Sequence, residues 1–166
     1  NLDSEFDIFV ELAQSMHRPL IAISTTFLLS WSVVRRLVKK IREEVNNPTF
    51  IIGCAFINDQ VAITDGVRHL EKPLRKYDIS FAIHSYNSEY DLFNLVSNID
   101  SKDFSKVNNL AFFEDGKFCF TKDQWNSPYI LEKDIPPWDK IDLPKNNKTI
   151  QLRSSSGCSF KCSFCT

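Results

Sequence analysis

Three cysteines, Cys158, Cys162 and Cys165, fall within eight residues in SSSGCSFKCSFCT, the stretch that closes this 166-residue chain. The spacing is C-x-x-x-C-x-x-C. Three thiolates on one short loop can hold three corners of a cubane [4Fe–4S] cluster, leaving the fourth iron open to a substrate or cofactor. Gly157 lets the backbone turn sharply ahead of the first thiolate. Phe160 and Phe164 are spaced to shield such a cluster from water, which is one lever on its potential. Structural zinc is the competing chemistry. It needs a fourth ligand, from Cys54, Cys119, a distant His or chain beyond this one. Three unligated thiols are the bland reading.

The elements that would carry this loop begin with a strand, Thr149 to Arg153, which runs straight into it. Before the strand, residues 124–148 read as a linker: Gln124 to Asn147 carries four of the seven prolines, Pro136-Pro137 among them. Residues 1–123 read as an α/β domain. Ser4-x-x-Asp7 starts a helix with Phe6, Phe9, Val10, Ala13 and Met16 at helical spacing, and Pro19 ends it. Leu20 to Thr25 suits a strand buried on both faces. Ser30 or Ser32 caps a helix striped by Val33, Val34, Leu37, Val38, Ile41 and Val45, and Asn46-Asn47-Pro48 stops it. Thr49 to Gly53 is a second buried strand and Ile79 to Ile83 a third. Between them lies a mixed region, with a helix near Val67 to Tyr77 that Pro73 disturbs. Ser88 caps a further helix. Asp115-Gly116 marks a hairpin between Leu110–Phe113 and Lys117–Thr121. Alternating strands and helices over roughly residues 20–98 predict a parallel sheet.

Composition narrows the function classes. A hydrophobic fraction of 43% with 14 Phe supports a real core. Twenty basic against 21 acidic residues give no long-range reason to bind nucleic acid or an anionic membrane. The densest basic cluster, Arg35 to Arg42, is followed by Glu43 and Glu44 and reads as the solvated face of a helix. The acidic start NLDSEFD is no secretory leader, and Leu20 to Val34 is too short to span a bilayer. An odd count of five cysteines suits metal-binding thiols in a reducing cytoplasm, with Cys54 and Cys119 as buried small hydrophobes. Lacking an initiator Met, the chain reads as beginning inside a larger protein.

The cysteine spacing, the preceding strand, Gly157 and Phe164 together resemble the radical S-adenosylmethionine enzymes. The resemblance implies that Cys158, Cys162 and Cys165 ligate three irons and that S-adenosylmethionine chelates the fourth. One-electron reduction by a flavodoxin or ferredoxin would then yield a 5′-deoxyadenosyl radical that abstracts hydrogen from an organic substrate. The family places this loop after the first strand of a (β/α) barrel. The rest of that barrel lies outside this chain, so the 166 residues should not catalyse alone.

An α/β domain ahead of a Pro-rich linker and this loop resembles the cobalamin-binding subgroup, whose domain is Rossmann- or flavodoxin-like. By that resemblance cobalamin lies across the carboxyl ends of the strands, facing Ser24 and Thr25 after the first strand and Gly53 and Cys54 after the second. The first βα unit of such a domain is missing or cut short here. Cys54 stands where the family usually has a second glycine. His84-Ser85-Tyr86-Asn87 stands where it has a Gly-Glu-rich turn, and no Asp-x-His-x-x-Gly stretch marks a cobalt ligand. His84 itself reads as a surface or turn histidine. Methyl transfer to an unreactive carbon is the commonest expectation for such a protein. A non-catalytic flavodoxin-like module is the alternative. A methylthiotransferase would carry a second cysteine triplet, whereas this domain has only Cys54 and Cys119.

Overall fold

The apolar runs of the sequence pair with one another in chain order. In a computed structural model, which describes residues 2–123 except positions 29, 65, 86 and 87, they form one open five-stranded sheet. Its strands are β1 (Leu20–Ser24), β2 (Thr49–Gly53), β3 (Phe81–Ile83), β4 (Leu110–Glu114) and β5 (Lys117–Phe120), in that spatial order. The linker at 124–148, the strand expected at Thr149–Arg153 and the cysteine loop with Phe164 lie outside the described residues.

β1, β2 and β3 run parallel, but β4 is antiparallel to both of its neighbours. The sheet is therefore mixed: β1 to β3 are parallel, as expected for residues 20–98, and β4 and β5 form the expected antiparallel hairpin, which joins the sheet antiparallel to β3. Helical crossovers join β1 to β2 and β2 to β3, as parallel pairing requires. Asp115 and Gly116 join β4 to β5 with φ of 48° and 75°, a two-residue turn that returns the chain antiparallel.

β2 shows how period-two alternation builds two cores. Phe50 and Ile52 point into one, Ile51 into the other. The first core lies under α1 (Leu2–Gln14), α2 (Trp31–Glu44), α3 (Ala55–Ile63) and α4 (Glu71–Tyr77). The second takes Leu95 of α5 (Ser88–Asn98), with Val107 and Leu110. Helices thus cover both faces of an α/β sheet.

α2 buries Val34, Val38 and Ile41 along the expected stripe, with its charges outside. Ser30 takes the N-cap position, but its hydroxyl meets Ser32 Oγ at 2.9 Å instead of a helix amide. α3 was not anticipated. It buries Phe56, Ile57, Asn58 and Val61 while Ala55, Ala62 and Ile63 are exposed, so its apolar residues surround it without a stripe. Pro73 falls in the first turn of α4, where a backbone N–H has no intrahelical partner. It starts the helix instead of disturbing it, after a short 3-10 turn at Val67–Leu70.

Two further expectations are corrected. β1 is buried on one face only: Ile21 and Ile23 are covered, whereas Ala22 and Ser24 are exposed. β1 is an edge strand, and on its second face only Leu20 packs partly against the second core. Cys119 lies on the other edge strand, β5, and Cys54 on a turn; both are half-buried. No helix among the described residues is long and apolar enough to cross a membrane.

Ile52→Ala, at a fully buried position of the interior strand β2, is expected to cost about 2–5 kcal/mol. Ala22→Ser, on the open face of β1, should stay within about 0.5 kcal/mol of the parent. Urea denaturation of both variants measures the contrast.

Candidate functional site at the strand ends

In an open α/β sheet, ligands bind outside the carboxyl ends of the parallel strands. Here that edge is formed by Ser24-Thr25 after β1, Gly53-Cys54 after β2, His84-Ser85 after β3 and the first turn of α5. All four residues singled out from the sequence in residues 1–123 are brought to this edge, but they are not equivalent.

Thr25 is fully buried. Its N–H donates to the Gly53 carbonyl at 2.9 Å, and its hydroxyl donates to the same oxygen. It ties β1 to β2 and has no donor left for a ligand. Gly53 is also spent internally. A Cβ there would stand 3.1 Å from the Ile83 carbonyl oxygen, so the missing side chain serves β2–β3 packing. Ser24 is exposed, with its hydroxyl 3.1 Å from Thr26 Oγ1. Cys54 is half-buried, its sulfur 3.6 Å from Ser88 Oγ. Ser24 and Cys54 are the two within reach of a ligand.

Cys54 adopts φ 75° and ψ −160°, a region that essentially only glycine visits freely. The residue is the N-cap of α3, and the chain must reverse there to leave β2 and enter the helix. A side chain sits in a glycine conformation where a glycine would be the relaxed choice.

Behind these residues lies a buried polar group that the sequence did not signal. His84 is only 3% exposed, which corrects its reading as a surface residue. Its backbone N–H donates to the Asn109 carbonyl at 2.9 Å. The Asn109 side-chain amide donates to Asp91 at 2.9 Å, and Asp91 is itself buried in the first turn of α5. Asn58 donates to the Ser85 carbonyl at 3.0 Å. Among the described residues, Asn58 Oδ1, His84 Nε2 and Ser85 Oγ are buried without a hydrogen-bond partner. His84 Nε2 lies 3.6 Å from Asp123 Oδ1, beyond hydrogen-bond reach. Burial holds the His84 pKa below its ordinary value, opposed by the Asp123 and Asp91 carboxylates and a backbone hydrogen bond. The only available signal was position: His84 follows directly on the third strand.

The N-termini of α2, α3 and α5 all open at this edge, and helix N-termini favour anionic groups. Phe27, 91% exposed in the connection after β1, and Tyr90, 52% exposed in the first turn of α5, add apolar surface. The edge can thus seat a bulky ligand over small residues. No group of three metal-ligating side chains occurs among the described residues. None of the strand-end residues lines the depressions found on the helical layer.

No protein-family model matches the chain, and the searches of curated proteins and of solved structures return no match.

Cys54→Gly should raise stability by about 1 kcal/mol. That is a release of about 1–3 kcal/mol of backbone strain, less the roughly 0.5–1 kcal/mol of added chain freedom that glycine brings to the unfolded state. A higher urea midpoint measures it. His84 is neutral in the folded protein and protonates more readily when unfolded, so low pH favours unfolding. Its contribution is complete above about pH 6.5 and is lost as pH falls below that value toward the lowered folded pKa. In His84→Gln the urea midpoint should vary less over this window than in the parent.

Proposed function

We propose that this chain belongs to a radical S-adenosylmethionine enzyme whose α/β domain presents cobalamin at its strand ends. The observation that carries the reading is GCSFKCSFC, Gly157 to Cys165, following the apolar-polar run TIQLR. Three thiolates at this spacing, with a glycine ahead and an aromatic before the last, suit a cluster with one open iron better than four-coordinate zinc. Cys158, Cys162 and Cys165 would hold the [4Fe–4S] cluster, and Phe164 would limit its access to water. When bound, the cluster and S-adenosylmethionine supply a carbon radical for attack on an organic substrate, with methyl transfer to an unreactive carbon as the reaction class. The reductant would be a flavodoxin or ferredoxin, and the compartment the cytoplasm.

The α/β fold, with helices on both faces of its sheet, is compatible with a Rossmann- or flavodoxin-like domain. The strand-end edge fits a corrinoid in part. Ser24 and Cys54 are the groups a ligand could touch, and the helix N-termini suit the phosphate of a nucleotide tail. Thr25 and Gly53 support the edge from beneath. His84 is buried, so this edge offers no accessible histidine to cobalt. A second reading, a flavodoxin-like docking module, draws on the same internal use of Thr25 and Gly53.

Anaerobic reconstitution of the complete parent protein should give iron and sulfide near four each per chain, with a broad charge-transfer band at the blue edge of the visible. Cys162→Ala should abolish the band. Zinc in place of iron, or an unchanged spectrum in the variant, would refute the cluster assignment. Hydroxocobalamin should co-elute with the protein on gel filtration, and Ser24→Phe should reduce its retention. Loss of all corrin from the parent protein would leave the docking module as the role of this domain.

A further inference from the structure

The sequence holds two basic runs, Arg35 to Arg42 and Arg68 to Lys76, separated by β2 and α3. The fold sets them side by side. Arg42 Nη2 lies 2.7 Å from Asp78 Oδ2 and 2.6 Å from the Asp78 carbonyl, joining the end of α2 to the end of α4. A depression of about 1000 Å³ is lined by Trp31, Gln60, Arg68, Lys72, Lys76 and Tyr77, among others. A second, of about 340 Å³, shares Lys76 and Tyr77 and adds Arg35, Lys39 and Arg42. Together they carry seven cationic side chains against three carboxylates, Glu43, Glu71 and Asp78, on a chain whose formal net charge is −1.

Those three carboxylates are already paired, with Lys39 at 3.4 Å, Arg75 at 3.0 Å and Arg42 at 2.7 Å. Arg35 and Lys72 have no ion pair among the described residues. Arg68 lies over the Phe120 ring and Lys76 over the Tyr77 ring, contacts that leave their charge unneutralised. The floor is aromatic. Trp31 meets Phe56 edge-on at 5.3 Å and Tyr77 at 6.0 Å, and its indole N–H donates to Gln60 Oε1 at 3.2 Å.

We infer that this face of α2 and α4 docks a protein partner through an acidic surface. The inference goes beyond the cluster and corrinoid reading and uses none of its residues. Half-buried aromatics and arginines are the side chains that anchor protein interfaces. The surplus positive charge asks for carboxylates in return. The depressions are open and adjoin across two helices, whereas small-ligand sites enclose most of their ligand. Acidic residues in excess over the rest of the chain would repel a long polyanion such as duplex nucleic acid.

The full chain should bind a fluorescein-labelled poly-glutamate peptide in an anisotropy titration, more weakly as salt rises. Lys72→Glu/Lys76→Glu should weaken binding about ten-fold or more, and Lys72→Gln/Lys76→Gln by a smaller factor. Lys102→Glu/Lys106→Glu, the same charge change placed after α5, should leave it within about two-fold. An equal loss in this control, no binding at low salt, or displacement of the peptide by ATP or duplex DNA at lower concentration than unlabelled peptide would overturn the inference.

Discussion

The carbonyl oxygen of Gly53 is where the parallel part of this fold is fastened. Thr25 sends both its backbone N–H and its hydroxyl to that one oxygen, locking the end of β1 to the end of β2. On the other side of the same residue, the absent side chain admits the Ile83 carbonyl of β3. Three strands therefore meet at a single residue, and two of the contacts, the Thr25 hydroxyl bond and the close approach of β3 to Gly53, depend on residue type. Serine in place of Thr25 would keep the hydroxyl but lose a buried methyl, and any side chain at position 53 would press on β3.

That fastening has a geometric consequence. Because β2 stops at Gly53 with its neighbours already in place, the chain must turn at the next residue to begin α3. Cys54 makes the turn in a conformation ill suited to a Cβ. The edge so formed is lined by small side chains in front and by His84, Asp91, Asn58 and Asn109 behind. Asn58 Oδ1, His84 Nε2 and Ser85 Oγ are buried there without a hydrogen-bond partner, which a low-dielectric interior makes costly to maintain. Such groups are found more often where a protein does something than where it only packs.

Much of the fold was legible in the sequence because its signals were local. The stripe of α2, the double-sided burial of β2 and the Asp115-Gly116 turn each depend on residues close together in the chain. α3 was not legible, since apolar residues on every side conceal its period. The exposed face of β1 was not legible either: LIAIS reads the same whether or not a neighbour covers it, and only the sheet order decides. At the site, positions 24, 25, 53 and 54 were correctly gathered at the strand ends. Which of them faces outward depends on partners 28 or more residues away, as in Thr25 to Gly53 and Cys54 to Ser88. The burial of His84 has the same origin. Its cover comes from α5 and the approach to β4, elements whose own sequences say nothing about a histidine.

Arg75 illustrates a different kind of economy. Its guanidinium reaches Glu71 at 3.0 Å and the Gly116 carbonyl at 3.1 Å, while stacking 4.7 Å above the Phe113 ring. One side chain thereby braces the tip of the β4–β5 hairpin against a helix of only seven residues. So short a helix would fray if left to itself. Through that one cation, the helix and the hairpin tip share a surface contact that neither segment could make within itself.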